Sequence, residues 1–244
     1  MKVHIVLAHP EPRSFNSRLA NAAVDLLQKQ GHEVSLTDLY ACGFQPAEGP
    51  EFFAARRQTD RFDVQAEQKH AFDTGTLDPF VAAELQKLRT CDLLILQYPN
   101  WWFMPPAMMK GWVDRVLVYG AAYNSKDRYD RGLLKGRRAI ISVTFGGPES
   151  TFAHNGRNGD VDLLLWPMQM SLAYLGMTVL PPFTAFGVGG DLDHLDGLEK
   201  DYLSHLAAIP EMRPLRFNGW DDWDASGRLK PGVEGHNLYM RAVP

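Results

Sequence analysis

Cysteine is scarce in this chain: only Cys42 and Cys91 occur among its 244 residues. Two isolated thiols make neither a disulfide framework nor a cysteine-ligated metal site. They suit a reducing compartment, so a cytoplasmic protein is expected. No apolar run approaches the roughly 18 residues of a membrane-spanning helix, and no membrane insertion is expected. The opening MKVHIVLAHP lacks the basic segment and long apolar core of a secretion signal, and its short apolar run reads as a strand. Charge is not strongly one-sided. The 25 Lys and Arg against 29 Asp and Glu give a formal net charge of −4, which points to no nucleic-acid partner. The cluster Asp191, Asp193, His194 and Asp196 has no established ligand spacing; it reads as the solvated acidic start of a helix, and no metal is expected.

What is present is alternation of strand and helix. Val3–Ala8 is a short β-branched run, and from Phe15 the period becomes helical, with Leu19, Ala22, Ala23, Leu26 and Leu27 on one face and Gly31 as a stop. Glu33–Leu39 alternates as a second strand. Further strands are expected at Asp92–Gln97, Ala139–Thr144 and from Thr178, and helices at Val81–Arg89, Pro106–Tyr119, Val161–Leu175 and Leu195–Ala208. This is a doubly wound α/β fold: a five-stranded parallel sheet with helices on both faces. One domain over 1–209 is expected, interrupted by a surface excursion at 41–80 with one short helix near Pro50–Thr59. An irregular C-terminal extension at 210–244, with Trp220, Trp223 and PGVEGHNLY, packs on its own body or across a dimer.

Ligands of such sheets bind beyond the carboxyl ends of the strands. The loops after strands one, three and four should therefore build the site. The first, HPEPRSFN, is neither a G-x-G-x-x-G nor a G-x-x-x-x-G-K-[ST] loop, but it sets Ser14, Phe15 and Asn16 at a helix start, where free amides favour phosphate. The same residues also read as an ordinary helix cap, with His9 on the surface. The second, YPNWWFMPP, places aromatic faces where a planar ligand would lie. In the third, TFGGPESTFAHNGRNGD, Gly146 and Gly147 let the backbone approach a ligand closely. His154 in that loop is either a proton donor to product or simply solvated.

The segments AHPEPRSFN, LILQYPNWWFMPPAMMKGWVDRV, YDRG and GRNGDVDLLLWPMQ resemble the NAD(P)H quinone oxidoreductases of the DT-diaphorase type, from the first strand to about residue 190. The resemblance implies a flavodoxin-like sheet of order 2-1-3-4-5 and a homodimer with flavin sites at the interface. It also implies FAD, with FMN as the alternative, NADH or NADPH as donor, and two-electron ping-pong transfer to a quinone-like acceptor. By resemblance, His9, Phe15 and Asn16 lie toward the flavin phosphate. Pro99, Asn100, Trp101, Trp102 and Phe103 contact the ring and ribityl chain, and Thr144, Phe145, Gly146 and Gly147 form the second wall with Phe152 near the ring. Ala122, Tyr123 and Asn124 match the segment that covers the acceptor from the other subunit.

The chain departs from the family where a tyrosine and a histidine are usual: it has Phe152, which cannot donate a hydrogen bond, and Asn158, which donates but carries no charge. The amides of Gly146 and Gly147, with Asn158, are expected to take over stabilisation of the reduced flavin. Ser125 replaces a family tyrosine, and a flavin-contacting glutamine falls at Asp63, with Gln65 nearby. Three other readings compete: an FMN-dependent azo- or nitroreductase, an ancillary subunit of a potassium-efflux transporter, and a flavodoxin-like electron carrier, which the modest charge of −4 disfavours. The long 41–80 excursion and the tail disfavour the second of these.

Overall fold

The computed structural model describes residues 1–236. Four parallel strands form most of the sheet: β1 (Lys2–Leu7), β2 (Glu33–Asp38) at one edge, β3 (Leu93–Pro99) and β4 (Arg138–Phe145). The order is β2-β1-β3-β4-β5, with β6 also paired to β4. β5 (Thr178–Val179) pairs with Arg138 and Ala139, and β6 (Phe183–Phe186) pairs with Ser142 to Phe145. The expected fifth strand is thus one sheet position filled by two short strands. Pro181 and Pro182 separate them, because neither can donate a ladder hydrogen bond.

Side-chain alternation explains why β3 is apolar throughout. Leu94, Leu96 and Tyr98 face one core with Val6, Ile141 and Val143, under helices α3 (Pro79–Thr90), α4 (Ala107–Val116) and α5 (Val161–Tyr174). Leu93 and Ile95 face the other, with Ile5, Leu19, Ala23 and Tyr202, under α1 (Phe15–Lys29) and α6 (Leu192–Ala207). Burial on both faces is what a parallel sheet requires.

The 41–80 segment differs from expectation. The short helix near Pro50–Thr59 is only a 3₁₀ turn at Pro50–Phe52, and a full helix, α2, spans Val64–Thr74. Asp63 caps it by accepting from the Ala66 amide at 3.1 Å, and Gly75 closes it at φ 68°. Its buried residues are Glu67, Gln68 and Ala71, so no apolar period announces it. Glu67 accepts from the amides of Arg57 and Gln58, and Gln68 receives the Tyr119 amide at 3.1 Å. α4 also ends at Val116 rather than Tyr119, since the chain turns there to make that contact.

The extension is anchored to the body. Leu215 donates its amide to Val179 of β5 at 2.9 Å, and Trp220 donates its amide to Asp130 at 2.6 Å. Arg131 pairs with Asp221. Trp220 and Trp223 lie against this same chain, while PGVEGHNLY runs out of the described residues at position 237.

Candidate functional site

The carboxyl ends of β1, β3 and β4 bring the three loops to one rim. Their base is a buried polar chain. Gln97 of β3 donates from Nε2 to Asn16 Oδ1 at 2.8 Å, and Asn16 Nδ2 donates to Thr144 Oγ1 of β4 at 2.8 Å. All three residues are buried. Asn16 and Thr144 therefore fix the relative positions of α1, β3 and β4 rather than projecting outward. Gln97 Oε1 is buried without a partner among the described residues. Gln97 was missed from the sequence, although a polar residue inside DLLILQ was the available signal.

At the start of α1 two backbone amides are left free. Ser14 Oγ takes the Ser17 amide at 3.1 Å, leaving the Phe15 and Asn16 amides without acceptors among the described residues. His9 Nδ1 accepts from the Glu11 amide at 3.0 Å, so the neutral ring carries its proton on Nε2. Burial lowers the His9 pKa, partly opposed by the charges of Glu11 and Asp38. His9 also packs edge-on to Trp101, with ring centroids 5.7 Å apart.

The second loop holds its aromatics outward by an uncommon backbone. Trp101 and Met104 exchange amide-to-carbonyl hydrogen bonds of 3.0 and 3.1 Å. Between them, Trp102 and Phe103 have φ of 52° and 64°. Two positive-φ residues suit a tight two-residue turn, yet for bulky side chains each costs roughly 1–3 kcal/mol. The turn displays Trp102, which is 88% exposed, beside exposed Trp101, Phe103 and Met104. Pro99 is buried as the last residue of β3, and Asn100 donates its amide to Thr144 O at 2.8 Å.

In the third loop the sites of Gly146, Gly147 and Asn158 adjoin. A Cβ on Gly147 would lie 3.3 Å from Phe152 and 3.9 Å from Asn158 Nδ2, whereas one on Gly146 would meet only open space. Asn158 Nδ2 donates to Thr151 Oγ1 at 3.1 Å, leaving one amide hydrogen uncommitted to that bond. No acceptor among the described residues takes the amides of Trp102, Phe103, Gly146 or Gly147. Phe152 is buried in a cluster with Phe145 and Phe186 at 4.7 and 5.7 Å. It acts as a wall behind the rim. His154 stays exposed, 3.3 Å from Asp160.

Ala122, Tyr123 and Asn124 are not part of this rim within the chain. Ala122 is buried, and the Asn124 side chain makes three hydrogen bonds within its own turn, to Lys126 and Asp127. Tyr123 receives a hydrogen bond from Gln65 Nε2 at 3.2 Å, in a cleft of about 400 Å³ that includes Asp114, Met170 and Tyr174. The acidic cluster carries no metal geometry: Asp191 caps α6, Asp196 pairs with Arg18, and no group of potential metal ligands gathers among the described residues.

A family model described as flavodoxin-like fold matches residues 1–206. NAD(P)H dehydrogenase [quinone] 1 of Cavia porcellus is 39% identical over 187 residues, covering 76% of this chain and 68% of the relative. A Klebsiella pneumoniae structure described as a "putative quinone reductase" is 34% identical with a TM-score of 0.93, covering 98% of both chains. The general stress protein 14 of Treponema denticola, solved in complex with FMN, is 26% identical with a TM-score of 0.62, covering 86% of this chain and 99% of that one.

Proposed function

This chain belongs to the flavodoxin-like family, and from that membership we propose that it is a flavin-dependent NAD(P)H:quinone oxidoreductase. The observation that carries the reading is one rim with exposed aromatic faces and unclaimed backbone amides. These residues fit a flat ring with a polar edge and a phosphate-bearing tail.

On this reading the Phe15 and Asn16 amides and His9 Nε2–H hold the phosphate. Trp101, Trp102 and Phe103 flank the ring, and Asn100, Thr144 and Phe145 shape its bed. A bound flavin would supply the two-electron carrier that couples oxidation of the nicotinamide to reduction of the quinone. The amides of Gly146 and Gly147 face developing negative charge, with Asn158 as a third donor, in place of the tyrosine–histidine pair usual in the family. The exposed aromatics and the separate Ala122–Asn124 segment support a homodimer in which each subunit covers the other's rim. Donor and acceptor then share one planar slot in turn, a ping-pong sequence.

We take the flavin to be FAD. The FMN bound by the Treponema relative favours FMN as the second reading, together with azo- or nitroreduction. Both thiols are free, which supports a cytoplasmic setting, and no described helix is long and apolar enough to cross a membrane. Extraction and weighing of the bound flavin, followed by NADH and NADPH oxidation assays with and without benzoquinone, tests the proposal. FAD and quinone-dependent turnover are expected. Protein that takes up neither flavin contradicts the proposal.

A further inference from the structure

Besides His9, the three rim loops carry Arg13, His154 and Arg157 as basic groups. Arg13 is held by Glu11, Nε to carboxylate oxygen at 3.2 Å, and His154 lies 3.3 Å from Asp160. Arg157 is exposed, and its side chain has no hydrogen bond or ion pair among the described residues. Glu149, the acid of the third loop, opens the 3₁₀ turn Glu149–Phe152 and makes no ion pair with it. Among the described residues, Arg157 is therefore the permanent cation of these loops that no carboxylate answers.

The backbone fixes where that charge stands. The Asn158 amide donates to Thr151 O at 2.9 Å, the Gly156 amide to Ala153 O at 2.8 Å and the Gly159 amide to Gly156 O at 3.1 Å. The chain is thus pinned on both sides of Arg157. It is also closed tightly, since a Cβ on Gly156 would lie 2.5 Å from the Thr151 backbone. Asn158 Nδ2 lies 3.9 Å from the Cβ position of Gly147. Arg157 is tethered one residue from that contact, with a fixed Cα and a side chain free to meet a ligand.

A free guanidinium in this place suits an anion that comes and goes with turnover. The resident flavin has its phosphate assigned to the Phe15 and Asn16 amides at the start of α1. Of the two substrates that share the slot, a simple quinone carries no fixed charge. A nicotinamide dinucleotide carries a pyrophosphate and, in NADPH, a 2′-phosphate as well. The guanidinium fork pairs with phosphate oxygens by charge-assisted hydrogen bonds.

We infer that Arg157 binds a phosphate group of the hydride donor as the donor enters the rim. The inference rests on the oxidoreductase reading above and adds to it the residue that sets donor affinity.

Stopped-flow reduction of the flavin-loaded full chain over a range of NADPH and NADH concentrations gives a dissociation constant and a limiting rate for each donor. In Arg157→Met the dissociation constant for NADPH should rise about tenfold or more, as for loss of a hydrogen bond to a charged group. The limiting rate and the flavin affinity should stay within about twofold, and Arg157→Lys should recover part of the loss. A rise confined to NADPH assigns the 2′-phosphate; an equal rise for NADH assigns the pyrophosphate. Calorimetry with non-reducing tetrahydro-NADPH should show the same rise, and binding to the wild-type chain should weaken with added salt. Unchanged dissociation constants for both donors in Arg157→Met, a loss of flavin affinity in their place, or salt-independent binding to the wild-type chain overturns the inference and leaves the oxidoreductase reading standing. A wild-type chain whose flavin neither donor reduces, and that binds no tetrahydro analogue, overturns both. The salt titration decides even if a variant fails to fold.

Discussion

At the scale of single residues, Gly146 and Gly147 make different claims. A side chain at Gly146 has room and meets no atom of the chain, whereas one at Gly147 strikes Phe152 and Thr151. Gly146→Val should leave the melting temperature within about 2 °C, since surface changes away from packed features are usually near neutral. It should also weaken flavin binding at least tenfold by occupying the space over the rim. Equal loss of stability and affinity would mean that the open space is not the ligand's. Asn158 offers one hydrogen bond beyond the one it gives Thr151. Its removal in Asn158→Ala should slow flavin reduction about tenfold, the worth of one net hydrogen bond. Stopped-flow absorbance measures this, and an unchanged rate excludes Asn158 from the chemistry.

At the scale of elements, the packing of α3 and α4 on the sheet turns on a buried carboxylate. Glu84 accepts from His4 Nε2 at 3.1 Å, Trp112 Nε1 at 2.9 Å, Thr37 Oγ1 at 2.8 Å and Lys87 Nζ at 2.7 Å. Burial by itself would raise its pKa. The hydrogen bond and charge of His4, with Lys87 and Trp112, outweigh burial and bring it down to about 2. A carboxyl depressed in the folded state contributes stability above its unfolded pKa, near 4.5, that is lost as pH falls toward 2. Urea melts should thus show stability falling by roughly 3 kcal/mol across that window. Glu84→Gln should be less stable at pH 7 by about 3 kcal/mol and flatter in acid. A parallel acid profile in the variant would remove Glu84 as the cause.

The same elements show what could be read from residues alone. β1 and β3 were legible as short, nearly continuous apolar runs, and α1 because its apolar positions follow period 3.6 between a cap and Gly31. α2 was not, because it buries Glu67 and Gln68 against partners distant in sequence. The three loops could be placed from strand order. The Asn16–Gln97–Thr144 chain could not, since it depends on a register between β3 and β4 that only the folded sheet supplies. The positive φ of Trp102 and Phe103 likewise has no sequence signature; aromatics are poor turn residues, and a pattern reading does not put two of them there.

At the scale of the whole molecule, the extension protects the sheet. Leu215 caps the outer carbonyl of β5, which would otherwise expose an unpaired edge. Removing residues 210–244 should leave a folded α/β body by circular dichroism but promote association visible by light scattering. A truncated chain that stays dispersed would assign edge protection elsewhere. The exposed Trp102, Phe103 and Met104 should also become shielded in the intact assembly. Sedimentation should give twice the 27.4 kDa chain mass.

The central claim is that one rim of this sheet holds a flavin through which two electrons pass from a nicotinamide to a quinone. An anaerobic titration tests it most directly. One equivalent of NADH or NADPH should bleach the yellow absorbance of the flavin-loaded protein, and one equivalent of benzoquinone should restore it with the flavin still bound. A flavin that stays oxidised with both donors, or that remains bleached when quinone is added, contradicts the account.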